Sequence, residues 1–225
     1  SFLWKLRRLQ NFIDNTYIPD VIAIASAYPD YCEIGVGCRN LLSYGAYDLE
    51  VEEPDLTRRK RLYIPGVTSV DLKPGKLDIT KVTESVKHSW YQDSPSSQHP
   101  TQGETKPKYG KEGAYSWVKA PRYEGKVYEV GPLARVAVNY AYGDPGMKNL
   151  VDSALAQLKA TPSALFSVMG RHLARALCAK FIADNMEKWL FELKLAEPAF
   201  VEYTIPEEGR GVGLTEAARG ALGHW

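Results

Sequence analysis

The stretch Glu208-Gly-Arg-Gly-Val-Gly-Leu-Thr-Glu-Ala-Ala-Arg-Gly-Ala-Leu-Gly-His-Trp225 concentrates the residue types that do chemistry with anions. It supports two readings. The run Gly209-Arg-Gly-Val-Gly213 has the composition of a loop that cradles phosphate where it opens a helix. Its spacing departs from G-x-G-x-x-G, and no crossover helix and second parallel strand follow it, so a dinucleotide unit is not expected. A phosphate-binding module at Gly209–Gly213 is kept as an alternative. The second reading begins with Arg219, one permanent charge among Ala217, Ala218, Gly220 and Ala221. Small neighbours let its backbone approach a bulky object. A guanidinium buried there needs an anionic or strongly accepting partner.

The other candidate groups are less specific. Cys32, Cys38 and Cys178 are an odd number without a C-x-x-C pair, so they build neither a complete disulfide framework nor a zinc knuckle and read as free or buried thiols. His88 is expected to be packed, His99 exposed in a polar stretch, and His172 structural between Arg171 and Arg175. Only His224 is expected near Arg219, as a hydrogen-bonding neighbour. The tetrad Arg58-Arg-Lys-Arg61 closes a stretch that begins Glu50-Val-Glu-Glu and reads as a solvated loop. With 28 Lys plus Arg against 27 Asp plus Glu, the net charge of +1 gives no global field for nucleic acid or an acidic membrane.

These residues must be positioned by a folded scaffold. A chain of 225 residues with 44% hydrophobic and 24% charged residues can bury a core without staples, which excludes a disordered or collagen-like protein. No apolar run approaches the roughly 20 residues of a membrane span. Leu6, Leu9, Ile13, Val21, Ile24 and Ala25 predict a helix over 3–27 with a kink at Ile18-Pro19. Tyr31 to Tyr47, with Gly35, Gly37 and Gly45, reads as a loop of close backbone approach. Asp78 to Tyr91 reads as a helix capped by Asp78. Residues 94–113 form a polar surface excursion. Alternation on both sides of Glu124-Gly125 predicts a hairpin over 115–130. Helices are predicted from Pro132 to Tyr142, from Gly146 to Ala160 and from Ser163 to Leu195, with a short strand over Phe200–Ile205. The fold class is therefore α+β and mainly helical, with long packed helices and a small hairpin.

Several segments, in order, resemble the large subunit of nickel-iron hydrogenases of the membrane-bound uptake type. They are Tyr17-Ile-Pro-Asp20, Leu42-Ser-Tyr-Gly-Ala46, Glu84-Ser-Val-Lys-His-Ser-Trp-Tyr91, Tyr115-Ser-Trp-Val-Lys-Ala-Pro-Arg-Tyr123, Tyr128-Glu-Val-Gly-Pro-Leu-Ala-Arg135, Gly170-Arg171 with Ala174-Arg-Ala176, and Gly211 to Trp225. The resemblance covers essentially the whole chain. It implies that 1–225 is a single partial domain, the middle-to-late portion of such a subunit.

The resemblance also implies a chemistry. In the family a nickel and an iron are bridged by thiolates from two C-x-x-C pairs, with cyanide and carbon monoxide on iron, and neither pair occurs here; soft thiolates suit these metals. No metal ligand is therefore expected in this chain, and the 225 residues alone are expected to be inactive and to aggregate or need their partners. The segment matching Ala217 to Leu222 lines the metal site, with Arg219 as its catalytic residue, Ala217, Ala218, Leu222 and His224 as lining, and Arg219 and Leu222 sharing a face if the segment is helical. Where the family carries proline, this chain has Ala218, and near Cys178 it lacks the family's glutamate. The implied partners are dihydrogen, an iron-sulfur small subunit and, through it, a membrane cytochrome, and the implied location is membrane-associated, on the periplasmic side, through the small subunit. The alternative from another class is a metal-free structural or electron-transfer-coupling homologue in a respiratory complex.

Overall fold

The structure is a computed structural model and describes every residue except 51, 52, 54, 56, 57, 94–96, 199, 201 and 225. Helices α1 (Phe2–Phe12) and α2 (Ile18–Ala27) are joined by a π turn, Ile13–Tyr17. The predicted kink is thus a widened turn just before Pro19. The proline then falls in the first turn of α2, where its missing N–H is no loss. Of α1 only Leu6 is buried, and Phe2, Trp4, Leu9 and Phe12 are exposed.

The region predicted as a glycine loop contains two strands, β1 (Asn40–Ser43) and β2 (Ala46–Asp48). They pair antiparallel with β4 (Gly66–Ser69) and β3 (Arg61–Tyr63), with Leu42 opposite Val67 and Ala46 opposite Tyr63. Gly35, Gly37 and Gly45 all have φ of +72° to +78°, so their glycine character is used in the connections. The predicted helix over 78–91 does not form. Asp78 does cap, accepting from the Thr80 N–H, but the turn it starts spans only Ile79–Lys81 and leads into strand β5 (Val82–Ser85). Its partner is β6 (Ala120–Tyr123), with Val82 opposite Tyr123. Long-range pairing overrides the local helical spacing. Glu124 and Gly125 form the predicted tight turn with φ of +51° and +72°, but the hairpin is limited to the single pair Tyr123 and Lys126, and β6 takes its main partner from β5.

Three helices fall where the apolar period placed them: α3 (Pro132–Ala141), α4 (Pro145–Leu158) and α5 (Val168–Glu192). Asp144 and Ser167 cap α4 and α5 by accepting from the Met147 and Gly170 N–H groups. Buried residues run continuously from Pro132 to Asn139, so α3 is the central helix. Leu133, Val136 and Ala137 pack with Val21, Met147, Val151, Leu173, Leu177 and Phe181 in the main core. Asn139 joins this core to the strands, donating to the Leu62 carbonyl and accepting from the Ile64 N–H. A smaller core holds Leu42, Tyr44, Val82 and Tyr123. No strand forms over the described residues of 200–205; Ala199 and Val201 lie outside them. The chain closes on a last antiparallel pair, β7 (Leu214–Glu216) and β8 (Leu222–His224).

Candidate functional site

The segment singled out in sequence folds as a β-hairpin whose turn, Ala217–Ala221, projects Arg219. Its base is closed by the Ala217 N–H on the Ala221 carbonyl (2.9 Å) and the Gly220 N–H on the Ala217 carbonyl (3.1 Å). The expected close approach of its backbone is real and has a specific seat. Gly220 (φ +118°) lies against Gly131 (φ +108°) at the start of α3, where a Cβ on Gly131 would stand 3.0 Å from Gly220 Cα and 3.1 Å from the Arg219 carbonyl oxygen. Two glycines let the turn touch the helix start.

Arg135, on α3, anchors the turn from below. It is the one charge in the run Pro132-Leu-Ala-Arg-Val-Ala-Val138 and is buried there. Its Nη1 donates to Glu216 Oε1 and to the Ala217 carbonyl, both at 3.1 Å, and its Nη2 donates to the Ala218 carbonyl. Its guanidinium also lies over the Tyr63 ring, 5.5 Å from the centroid. Glu216 Oε2 in turn accepts from the Ser43 hydroxyl (2.8 Å) and the Gly45 N–H (3.1 Å). Burial pushes the Glu216 carboxyl above its ordinary value, against the opposing pull of Arg135 and of the Ser43 and Gly45 hydrogen bonds.

Beside this anchor opens a cavity of about 750 Å³ between β2, β3, α3, α5 and the hairpin. Ala218, Glu216, Arg135, Arg175, Cys178 and Arg61 are among the residues on its wall. The basic tetrad contributes to it and is only partly solvated: the Arg61 side chain is 5% exposed and shares Asp48 with Arg59, at 2.7 and 2.9 Å. Burial raises the Asp48 carboxyl, but the hydrogen bonds and charges of Arg59 and Arg61 outweigh it and hold the group below the usual carboxylate range.

The predicted site residues are not all brought together. Arg219 is exposed at the tip of the turn and makes no hydrogen bond or ion pair with a described residue. Ala217 and Ala218 offer their carbonyls to Arg135. Leu222 is on β8, not on a shared helical face with Arg219. It lines a different, smaller cavity of about 290 Å³ with Leu42, Tyr44, Val82 and Tyr123. The His224 backbone pairs with Leu214, while its side chain lies outside what is described. Gly209–Gly213 runs into β7, so it has no helix N-terminus to offer a phosphate. His88 is exposed rather than packed on a helix, its ring stacked on Tyr115 and its Nδ1 3.1 Å from the Gly113 carbonyl oxygen. His99 is half-buried rather than exposed, held by Thr101. Sequence reasoning missed Arg135 and Glu216 as site residues. A lone charge in an apolar helix was the available signal, since it must find a partner.

A family model described as nickel-dependent hydrogenase matches residues 1–225. The chain belongs to this family. The periplasmic [NiFeSe] hydrogenase large subunit of Desulfomicrobium baculatum is 34% identical over 98% of this chain and 43% of its own length. The uptake hydrogenase large subunit of Rhizobium leguminosarum bv. viciae is 36% identical over 97% of the chain and 42% of its length. The as-isolated oxidised Ni-Fe-Se hydrogenase of Desulfovibrio vulgaris Hildenborough superposes with a TM-score of 0.81 at 34% identity, over 99% of this chain and 46% of that one. The chain therefore spans less than half the length of these relatives, and its helices and small antiparallel sheets are part of the hydrogenase large-subunit fold.

The family's nickel implies thiolate ligands, and the residues present do not supply a set. Among the described residues no group of three or more His, Cys, Asp or Glu side chains is placed to hold a metal ion. Cys32 is half-buried, Cys38 exposed and Cys178 buried, all as free thiols. Burial pushes both the Cys32 and Cys178 thiols up, which disfavours the thiolate that a soft metal needs. The described residues form walls and supports, not a ligand cage.

Proposed function

We propose that these residues are the middle-to-late portion, a single partial domain, of the catalytic large subunit of a nickel-iron hydrogenase of the uptake type. The whole enzyme oxidises dihydrogen heterolytically, to two protons and two electrons, and passes the electrons to an iron-sulfur small subunit. The proposed location of the subunit is at a membrane, on its periplasmic side, through the small subunit, with a membrane cytochrome as that subunit's partner; among the described residues no helix is long and apolar enough to cross a membrane. The nickel-iron centre, with its cyanide and carbon monoxide ligands, is assigned to the complete subunit. The 225 residues alone are expected to be inactive.

This chain's share in that reaction is Arg219, with Ala217, Ala218, Leu222 and His224 as neighbouring wall. The observation that carries the assignment is the contrast within one turn: its backbone is held by buried groups, while the Arg219 guanidinium is left without a partner among the described residues. Splitting dihydrogen separates charge, so a fixed cation nearby stabilises the negative side of that separation. A guanidinium holds its proton throughout the physiological range and is a poor resting base. Its first role is therefore electrostatic.

In the complete enzyme, Arg219→Lys is expected to lower turnover by about 10²–10³-fold while nickel and iron contents stay unchanged by elemental analysis. Near-wild-type turnover overturns the role of Arg219. A complete protein that carries no nickel overturns the enzymatic reading in favour of the metal-free homologue.

A further inference from the structure

The side chains of Arg135 and Glu216 are almost wholly removed from water, at 5% and 0% exposure. Placing two opposite charges in a protein interior is a poor way to gain stability, because desolvation offsets most of the attraction. What this pair does have is an unusual set of partners. A guanidinium carries five donors in a rigid plane. Here one arm reaches Glu216 and Ala217 and the other reaches Ala218, so the same plane that binds the acid also fixes two successive carbonyls at the start of the turn. Glu216 is fixed from its far side by Ser43, the last residue of β1, and by Gly45, in the connection from β1 to β2. The other arm of the turn is seated by Gly220 on Gly131.

We propose that Arg135 and Glu216 form a positioning clamp that sets the path of the Ala217–Ala221 turn and so the direction in which Arg219 projects. The turn needs such a restraint. Alanine at 218 leaves φ free, so the conformation of Ala218 must be imposed from outside the residue, and a hydrogen bond on its carbonyl does so. Lysine cannot replace Arg135 here: a single ammonium is a point donor that cannot span an acid and two carbonyls in one plane or stack on Tyr63.

This inference rests on the reading of Arg219 given above, and a double-mutant cycle in the complete, metal-loaded enzyme separates the two. Arg135→Lys is expected to lower kcat by about 10- to 100-fold, as a small displacement of a reacting-site group does, with KM for dihydrogen and metal content little changed. In an Arg219→Lys background the same substitution is expected to have almost no further effect on kcat. Hydrogen exchange at the Ala217 and Gly220 amides is expected to quicken with Arg135→Lys alone. An equal fold-loss of kcat in both backgrounds overturns the clamp, because Arg135 then acts independently of Arg219. If Arg219→Lys itself retains full turnover, the reading of Arg219 fails. The clamp on the turn then stands if the two amides exchange faster and falls if they do not.

Discussion

Two arginine–glutamate pairs hold loops against the helices of this chain, and they divide their hydrogen bonds differently. Arg171, on α5, meets Glu129 bidentately, Nε on Oε1 and Nη2 on Oε2, both at 2.7 Å, and also holds the carbonyls of Gly35, Val36 and Ser167. Both side chains keep about a fifth of their surface in water, at 21% and 24% exposure. Arg135 gives Glu216 only one bond, directs the others to the turn, and has almost no exposure. The charged states respond accordingly. The hydrogen bond to Glu129 raises the Arg171 guanidinium further above its already high value, whereas burial raises Glu216 towards its neutral form. The first arrangement is a pair that helps fold a connection. The second tolerates an electrostatic cost in order to hold a particular backbone.

Truncating the two acids tests that difference most severely. Glu216→Ala leaves Arg135 charged and unpaired in the core and is expected to cost about 3–5 kcal/mol, the penalty for breaking a buried pair from one side. Glu129→Ala leaves Arg171 access to water and three carbonyls, and a loss of about 1.5 kcal/mol is expected, at the low end for hydrogen bonds to charged groups. Denaturant titration of the complete subunit reads both. Equal losses contradict the distinction.

The glycines that seat these regions give the next test. Gly125, at the tip of the exposed turn, has φ +72° and open space around it. Alanine there should cost only the left-handed backbone, about 1–2 kcal/mol, and leave turnover unchanged. Gly131 has φ +108° and no room, since its added Cβ would meet Gly220 and the Arg219 carbonyl. Gly131→Ala is expected to lower kcat at least as much as Arg135→Lys does, because the turn must lift from its seat. Unaltered kcat in Gly131→Ala shows that the turn's position does not matter to turnover.

The parts of this structure that could be read in sequence are those held by local rules. The apolar period of α3, α4 and α5 lies within a few residues along the chain and the fold respects it, although α5 begins at Val168, after a separate turn at Pro162–Leu165, and not at Ser163. Val82 and Val86 have a spacing that suits one helical face equally well. Residues 120–123, some forty positions away, select the strand by pairing with Val82–Ser85, and the Tyr123 hydroxyl accepts from the Asp78 N–H. The same holds at the site. Arg219 stood out by its small neighbours, but its relation to Leu222 depended on whether the segment turned as a helix or a hairpin. That choice is made by Arg135, Gly131 and Ser43, none of them nearby in sequence. Motif and local spacing marked the turn; its support had to be found in three dimensions.

The smallest expected effect is also the most diagnostic of burial, because Asp48 and Glu216 line one cavity and shift in opposite directions. Asp48 is held low, so its contribution is complete above the unfolded-chain value and is lost as pH falls through its folded value. Glu216 is held high. Between the ordinary glutamate value and its own, the folded protein carries a proton that the unfolded chain has released, so the stability linked to Glu216 is complete below the ordinary value and declines as pH rises through that window. A Glu216→Gln substitution removes the proton exchange but keeps the shape. The variant should therefore lack this decline, and the difference in melting temperature between wild type and variant should shrink as pH rises from about 4.3, the ordinary glutamate value, if the variant is the less stable of the two at acid pH. A Tm difference that instead widens steadily over the same range means that Glu216 is favoured as a carboxylate, and that its attraction to Arg135 fully offsets the desolvation of both.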